Sequence, residues 1–185
     1  MNDTITLFRH FMSNPKEVGA VMPSSSSLSR EILLRAGLKS AANIVELGPG
    51  LGAFTKGILM KSGKNSNVFC FEVNKRFCSY LSKKFKGSRI QIINAGAENL
   101  EKELLKKGVK KADCIISGLP FRNFSGKMQN RILGGASKML SQEGVFVLFQ
   151  YTTGLENALK MHFSKVERSF VALNMPPAFV YICKK

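Results

Sequence analysis

Residues 44–55, IVELGPGLGAFT, constrain this chain more than any other stretch. Ile44, Val45 and Leu47 are strand formers, and Glu46 sits among them near the strand's carboxyl end. Gly48, Gly50 and Gly52 follow at alternate positions, and Phe54 begins a helical pattern. Such a turn adopts backbone angles closed to other residues and lets a ligand come close to the main chain. The amides of the helix beyond it would face that ligand. A strand, a glycine turn and a helix in this order mark the edge of an α/β sheet over which an adenosine-containing cofactor sits.

The rest of the chain repeats the alternation. A helix runs from a cap at Ser26 or Ser27 to about Ala36, with Leu28, Ile32 and Leu33 inward, and Gly37 ends it. Further helices are expected at 54–60, 75–85, 98–106, 127–140 and 155–163, and strands at 68–72, 90–93, 112–117 and 145–151. Phe77, Tyr80 and Leu81 are the inward residues expected on 75–85, and 141–144 is expected to close helix 127–140 as a turn. The last two strands, 165–173 and 178–183, have only residues 174–177 between them, so they should form an antiparallel hairpin at one edge. The expected fold is therefore α/β: a Rossmann-like, doubly wound, mostly parallel seven-stranded sheet with a C-terminal antiparallel hairpin. One domain spanning 1–185 accommodates all of it, with 1–40 as a helical extension covering the active site.

Within that extension, residues 4–12 have helical spacing. Ile5, Leu7, Phe8, Phe11 and Met12 fall on one side, with Thr6, Arg9 and His10 opposite. The segment reads either as a helix packed on its own domain or as a membrane-surface element in which Leu7, Phe8, Phe11 and Met12 contact lipid. Residues 14–27 are mostly loop, because Pro15, Gly19, Pro23 and a serine run break any period. The net charge of +16 points to an anionic partner, either nucleic acid or a membrane face. Lys83, Lys84, Lys86, Lys106, Lys107, Lys110 and Lys111 read first as solvated helix faces, and otherwise as cations that would attract such a surface.

Cys70, Cys78, Cys114 and Cys183 form no C-x-x-C pair and are expected to be reduced and buried in a cytosolic protein. With only His10 and His162 to help, no metal site is expected. No apolar run approaches the ~18 residues of a transmembrane helix, and no signal-peptide pattern opens the chain. The expected location is cytoplasmic, peripheral on the inner membrane face, and no obligate protein partner is evident.

Ligands of an open α/β sheet bind beyond the carboxyl ends of its strands, so those ends carry the chemistry. The dinucleotide fingerprint asks for a third glycine at position 53, where Ala53 is tolerated, so the glycines alone leave the cofactor open. The acid two places before Gly48 makes the pattern resemble motif I of the S-adenosylmethionine-dependent methyltransferases, E/D-x-G-x-G-x-G. That resemblance implies that Glu46 holds the methionine ammonium and that Leu47, Gly48, Pro49, Gly50 and Gly52 line the cofactor. Glu72 ends the second strand about twenty residues beyond Gly52, the spacing at which a carboxylate accepts both ribose hydroxyls. Val73 lies beside it. The third strand ends in NAGAEN, residues 94–99. Gly96 stands where methyltransferases place an acid for the adenine amino group, and Glu98, next to Ala97, either substitutes for it or serves as a helix N-terminal charge.

The fourth strand ends in Ser117-Gly118-Leu119-Pro120-Phe121, the motif IV position. Amino-methyltransferases acting on adenine carry D/N/S-P-P-Y/F or N-L-P-Y there, and Gly118 departs from the asparagine. Together, N-P-K-x-x-G-A-x-x-P-S-S, V-E-L-G-P-G-x-G, S-G-L-P, F-x-Y-x-x-G at 149–154 and N-x-P-P-A-x-V-Y at 174–181 resemble the small soluble bacterial phospholipid N-methyltransferases. The likeness covers nearly the whole chain. It implies methylation of phosphatidylethanolamine toward phosphatidylcholine, with S-adenosyl-L-methionine converted to S-adenosyl-L-homocysteine and anionic phospholipids as both surface and substrate. Ser117 and Gly118 would touch the cofactor, while Leu119, Pro120, Phe121, Phe124 and Tyr151 would line the acceptor side. Phe121, Phe124 and Tyr151 would attract a methylated ammonium by cation–π contact. No residue stands out as a base: His10 reads as a surface histidine, which leaves Tyr151 or the substrate's own phosphate. The alternative is an RNA adenine methyltransferase, similar to the ribosomal RNA adenine dimethylases. Against it stand Gly118 and a chain that stops at Lys185 without an appended RNA-binding domain. A non-catalytic cofactor-fold protein is disfavoured by the intact Glu46, glycine and Glu72 set.

Overall fold

The computed structural model describes residues 26–185. The amphipathic segment 4–12, with Leu7, Phe8, Phe11 and Met12, and nearly all of the loop 14–27 lie outside them. Helix α1 (Ser26–Arg35) buries Leu28, Ile32 and Leu33. Strands β1 (Asn43–Leu47), β2 (Asn67–Phe71), β3 (Ile90–Ile93), β4 (Ala112–Ser117), β5 (Leu140–Gln150), β6 (Lys165–Val171) and β7 (Ala178–Lys184) form one sheet in the order β3-β2-β1-β4-β5-β7-β6. The first five pair in parallel, while β7 runs antiparallel to both β5 and β6. This is the expected sheet, including its terminal hairpin.

Helices α2 (Ala53–Lys61), α3 (Lys75–Lys84), α4 (Leu100–Lys106), α5 (Gly126–Met139) and α6 (Glu156–His162) connect the strands. Alternate residues of each central strand face opposite sides, so two cores form. Val45, Phe69, Ile115, Phe146 and Leu148 pack under α4, α5 and α6. Ile44, Val68, Cys70, Cys114, Ile116 and Val147 pack under α1 and α2. Strands buried on both faces read as continuous apolar runs, which is how they appear in the sequence.

Several expectations shift. Residues 141–144 are a register irregularity inside β5, not a turn before it: Ala112 faces Leu140 while Cys114 faces Val145. Gly144 makes the irregularity possible, since a Cβ there would meet Leu140 Cγ at 2.8 Å and the Ala112 carbonyl at 3.1 Å. Tyr80, expected inward, is 45% exposed, and Leu81 is the buried residue of α3. A tyrosine can lay its ring on a surface, and here the Lys84 ammonium sits 5.3 Å over it. Helix 98–106 opens with a 3₁₀ turn, Ala97–Asn99. All four cysteines are free, and Cys78 is only half-buried.

Phe146 is fully buried at the centre of β5 and stacks on Phe163 at 5.4 Å. Phe146→Ala should therefore lower unfolding free energy by about 3–5 kcal/mol through lost burial and a residual cavity. Urea denaturation measures this, and a loss under about 1 kcal/mol would show that the site collapses around the truncation.

Candidate active site

The carboxyl ends of β1, β2, β3 and β4 meet around the glycine turn. Gly48 N–H donates to the Phe71 carbonyl at 2.9 Å, and Gly118 N–H donates to the Leu47 carbonyl at 2.9 Å. The turn is thereby tied to both neighbouring strands. Gly48 and Gly52 have φ of 71° and 81°, the left-handed region that side chains disfavour. A Cβ on Gly48 would also stand 2.8 Å from Leu119 Cδ2, and one on Gly52 the same distance from Phe85. Leu47 and Pro49 are buried beneath the turn, and Gly50 N–H donates to Glu72 Oε2 at 3.2 Å.

Glu46 is fully buried on the α1–α2 side of β1. Its Oε2 accepts from Thr55 Oγ1 at 2.6 Å and from Cys70 Sγ at 3.5 Å, while Oε1 has no partner. Burial pushes its carboxyl from 4.5 up to about 7, against the pull of the Thr55 and Cys70 hydrogen bonds. An unpaired buried carboxylate oxygen is costly unless a donor or cation reaches it. Glu72 is 2% exposed and accepts from Gly50 and Asn74 amides; burial raises its carboxyl as well. With the Val73 amide these make three backbone hydrogen bonds to the carboxylate, which leaves acceptor capacity for a ligand hydroxyl. Asn94, whose side chain donates to the Glu72 and Val73 carbonyls, holds this strand end in place.

A mostly apolar cleft opens beside the turn. Of the residues expected to bind cofactor, Gly48, Glu72, Val73, Ala97 and Glu98 line it, and so do Leu119 and Phe124 from the acceptor set. Phe71, Ala95, Met128 and Ile132 line it too and escaped the sequence reading. Met128 and Ile132 are four apart on α5, a spacing visible in the sequence, but helical spacing alone does not say which face meets a ligand. Gly96 resolves the missing acid of the third strand end. The Glu98 carboxylate folds over Gly96 into the place a side chain at 96 would occupy.

The acceptor side departs further from expectation. Ser117 is buried, and its hydroxyl accepts from the Leu119 amide at 3.2 Å. Gly118 lies against the glycine turn, where a Cβ would stand 3.1 Å from the Gly48 carbonyl oxygen. Pro120 is half-buried. Phe121 is fully buried and packs edge-on to Phe124 at 5.9 Å, so it supports the site as core and does not present a face to a ligand. Tyr151 packs instead on Phe149 at 5.7 Å, and Phe149 on Phe54 at 5.9 Å. Phe124 belongs with the core under α5, and Phe149 with the core under α1 and α2. The three expected aromatics therefore do not form one cage. Burial raises the Tyr151 phenol above its ordinary 10, and Asn174, its hydrogen-bond partner, opposes this only in part. A raised phenol stays neutral at neutral pH, so nothing in its surroundings activates Tyr151 as a base. Gln150 and Gln129, both unremarked in the sequence, brace the turn: Gln150 donates to the Leu119 carbonyl at 3.0 Å, and Gln129 to those of Phe121 and Phe124 at 2.9 and 3.1 Å.

Comparison with known proteins identifies this arrangement. The family model described as ribosomal RNA adenine dimethylase matches residues 19–170. The chain belongs to the ribosomal RNA adenine dimethylase family. Membership makes it an S-adenosylmethionine-dependent methyltransferase. Relatives within reach of this adenine dimethylase-family chain differ in what they methylate. An ornithine lipid N-methyltransferase of Singulisphaera acidiphila is 25% identical over 186 aligned positions, covering 100% of this chain and 97% of that protein. Ribosomal RNA small subunit methyltransferase A of Thermosynechococcus vestitus is 24% identical over 92% of this chain, which spans only 60% of that protein's length. Among solved structures, 1,6-didemethyltoxoflavin-N1-methyltransferase of Burkholderia thailandensis, with bound S-adenosylhomocysteine, gives a TM-score of 0.75 at 15% identity, over 98% of this chain and 88% of that one. A Thermus thermophilus 16S rRNA N2 G1207 methyltransferase gives 0.69 at 20% identity, over 90% and 44%. These likenesses agree with the class I methyltransferase fold.

The family's cofactor fits the residues present. The unpaired Glu46 oxygen suits a cation and Glu72 suits hydroxyls; Glu72 lines the cavity, which is otherwise mostly apolar, while Glu46 lies outside its lining on the α1–α2 side of β1. Because the Glu46 carboxyl is raised on folding, its stabilising contribution is complete below about pH 4.5 and is lost as pH rises through about 7. The cofactor-free protein should lose stability over that window by up to about 3 kcal/mol, and Glu46→Gln should flatten the profile. Chemical denaturation from pH 4.5 to 7.5 measures it. Equal slopes in both proteins would contradict a protonated buried Glu46.

Proposed function

We propose that the protein methylates the amine of phosphatidylethanolamine and of its methylated intermediates toward phosphatidylcholine, working on the cytoplasmic membrane face. Gly118 carries this reading. The adenine-directed pattern has a side-chain amide at this position to grip a planar amine. Here there is none, and a side chain would press on the Gly48 carbonyl. A tetrahedral alkyl amine does not need that planar grip. The end-to-end likeness to a lipid N-methyltransferase supports the same acceptor class, and a net charge of +16 suits an anionic bilayer. Among the described residues no helix is long and apolar enough to cross a membrane, so approach from the surface is the mode this reading requires. The apolar side of residues 4–12 would contribute to it.

Bound S-adenosylmethionine supplies a methyl group on a sulfonium centre. In this reading Glu46, with its free Oε1, receives the methionine ammonium, Glu72 takes the ribose hydroxyls, and Glu98, folded over Gly96, takes the adenine amino group. Leu47, Gly48, Pro49, Gly50, Gly52, Val73, Ala97, Ser117 and Gly118 shape the wall around them. Leu119, Pro120 and Phe124 confine the acceptor, with Phe121 behind them, and Tyr151 sits at the rim. Leu119, Met128 and Ile132 keep water from the cavity. The acceleration rests on alignment, because in-line displacement by a neutral amine needs position more than acid–base help. The amine's proton passes to the lipid phosphate or to water. The second reading, adenine methylation in RNA, draws on the family match and the Leu119-Pro120-Phe121 turn.

Two measurements bear on these roles. Incubated with labelled S-adenosylmethionine, the protein should label vesicles of phosphatidylethanolamine and phosphatidylglycerol. Vesicles with ornithine lipid and purified ribosomal RNA serve as parallel arms, and label in RNA alone would overturn the lipid reading. Glu72→Ala should weaken cofactor binding about a hundredfold by removing two hydrogen bonds to a charged group. Calorimetric affinity equal to that of the parent would remove Glu72 from the site.

A further inference from the structure

The turn between β6 and β7, residues 172–177, has its apolar and polar side chains reversed from what a water-facing turn requires. Leu173 is 83% exposed and Met175 78%, the two most exposed large apolar residues among those described. Asn174 between them is 5% exposed. Its amide donates to the Pro176 carbonyl at 2.6 Å, and it hydrogen-bonds the Tyr151 hydroxyl. The turn thus uses its one polar side chain for internal bonds and leaves Leu173 and Met175 exposed. Turns facing water ordinarily show the opposite arrangement. Phe170, on the strand leading in, is also exposed.

Position gives the patch its meaning. Gln150, the last residue of β5, pairs with Phe179 of β7, and Val171 of β6 pairs with Ala178. The turn therefore stands at the carboxyl end of β5, the sheet edge where the cavity and the Ser117–Phe121 segment lie, and half-exposed Tyr151 is hydrogen-bonded to its Asn174. Residues 172–177 and 151–154 carry no charge, while Arg122, just past the Ser117–Phe121 segment, and Lys127, at the start of α5, are exposed. An uncharged apolar tip on a chain of net charge +16 matches the interfacial layer of an anionic bilayer.

We propose that the β6–β7 turn is a membrane-insertion tip: Leu173 and Met175 enter the bilayer surface and set the acceptor mouth at headgroup depth. The inference rests on the lipid reading above and names a contact distinct from residues 4–12. The chain contains no tryptophan, so Leu173→Trp creates a single reporter. Mixed with vesicles of phosphatidylethanolamine and phosphatidylglycerol carrying brominated acyl chains, its emission should shift blue and be quenched. A double variant, Leu173→Ser with Met175→Ser, should keep cofactor affinity and thermal midpoint while vesicle affinity falls about tenfold or more. The tip is overturned if Leu173→Trp emission is unmoved in vesicle-bound protein, if the protein does not sediment with vesicles, or if the double variant binds as tightly as the parent. A blue shift that follows protein concentration without vesicles assigns the patch to a second copy and overturns it as well. Methyl transfer to detergent-dispersed phosphatidylethanolamine scores the acceptor reading separately. Quenched tryptophan without transfer keeps the tip and rejects the acceptor, and transfer with unmoved tryptophan does the reverse.

Discussion

Two backbone hydrogen bonds, from Gly48 to Phe71 and from Gly118 to Leu47, continue the parallel ladder one step past the strand ends. At that step the chain must both satisfy its amides and turn away toward a helix. An unsatisfied buried amide costs on the order of 1–3 kcal/mol, so the turn keeps the bonds and accepts left-handed backbone at Gly48. The same bonds draw the motif IV segment against the glycine turn until Gly118 has no room for a side chain without displacing the Gly48 carbonyl. The cofactor side and the acceptor side are thus two consequences of one sheet edge.

Around that edge the protein places acids where water is scarce. Glu46 gains hydrogen bonds from Thr55 and Cys70, yet its burial outweighs them and lifts its carboxyl toward neutrality. Glu72 is held by the Gly50, Val73 and Asn74 amides and is also raised. A cation brought against Glu46 would link binding to the ionisation of that carboxyl and would stabilise the fold. Leaving one carboxylate oxygen unpaired lowers the stability of the empty protein and readies the site for a cation.

Much of this was legible in the chain. Alternating apolar runs and helical spacings were enough for the seven strands and their hairpin, because strands buried on both faces leave long unbroken apolar signals. The spacing from Gly52 to Glu72 located the second strand end. Other features were not legible. Phe121 and Tyr151 look alike as aromatics near strand ends, but one is buried core and the other braces against Phe149 and Asn174. Residues 141–144 read as a turn because small and polar residues mark turns and bulges alike. At Gly96 the chain left two readings of Glu98 open, because spacing alone cannot show that its side chain folds back over Gly96. Met128 and Ile132 belong to a helix whose lining face is set by packing against the sheet.

The sequence by itself determined the α/β alternation, the glycine turn and the acids beside it, since these depend on local propensity and short spacing. The tertiary structure decided which residues share the cavity, which aromatics stay in the core, and that Leu173 and Met175 stand exposed beside the acceptor segment. The reason is that burial and neighbourhood are properties of the packed sheet edge. They depend on strand order and register, which bring residues such as Gly48, Glu98, Gly118 and Asn174 to one end of the molecule from positions far apart in the chain.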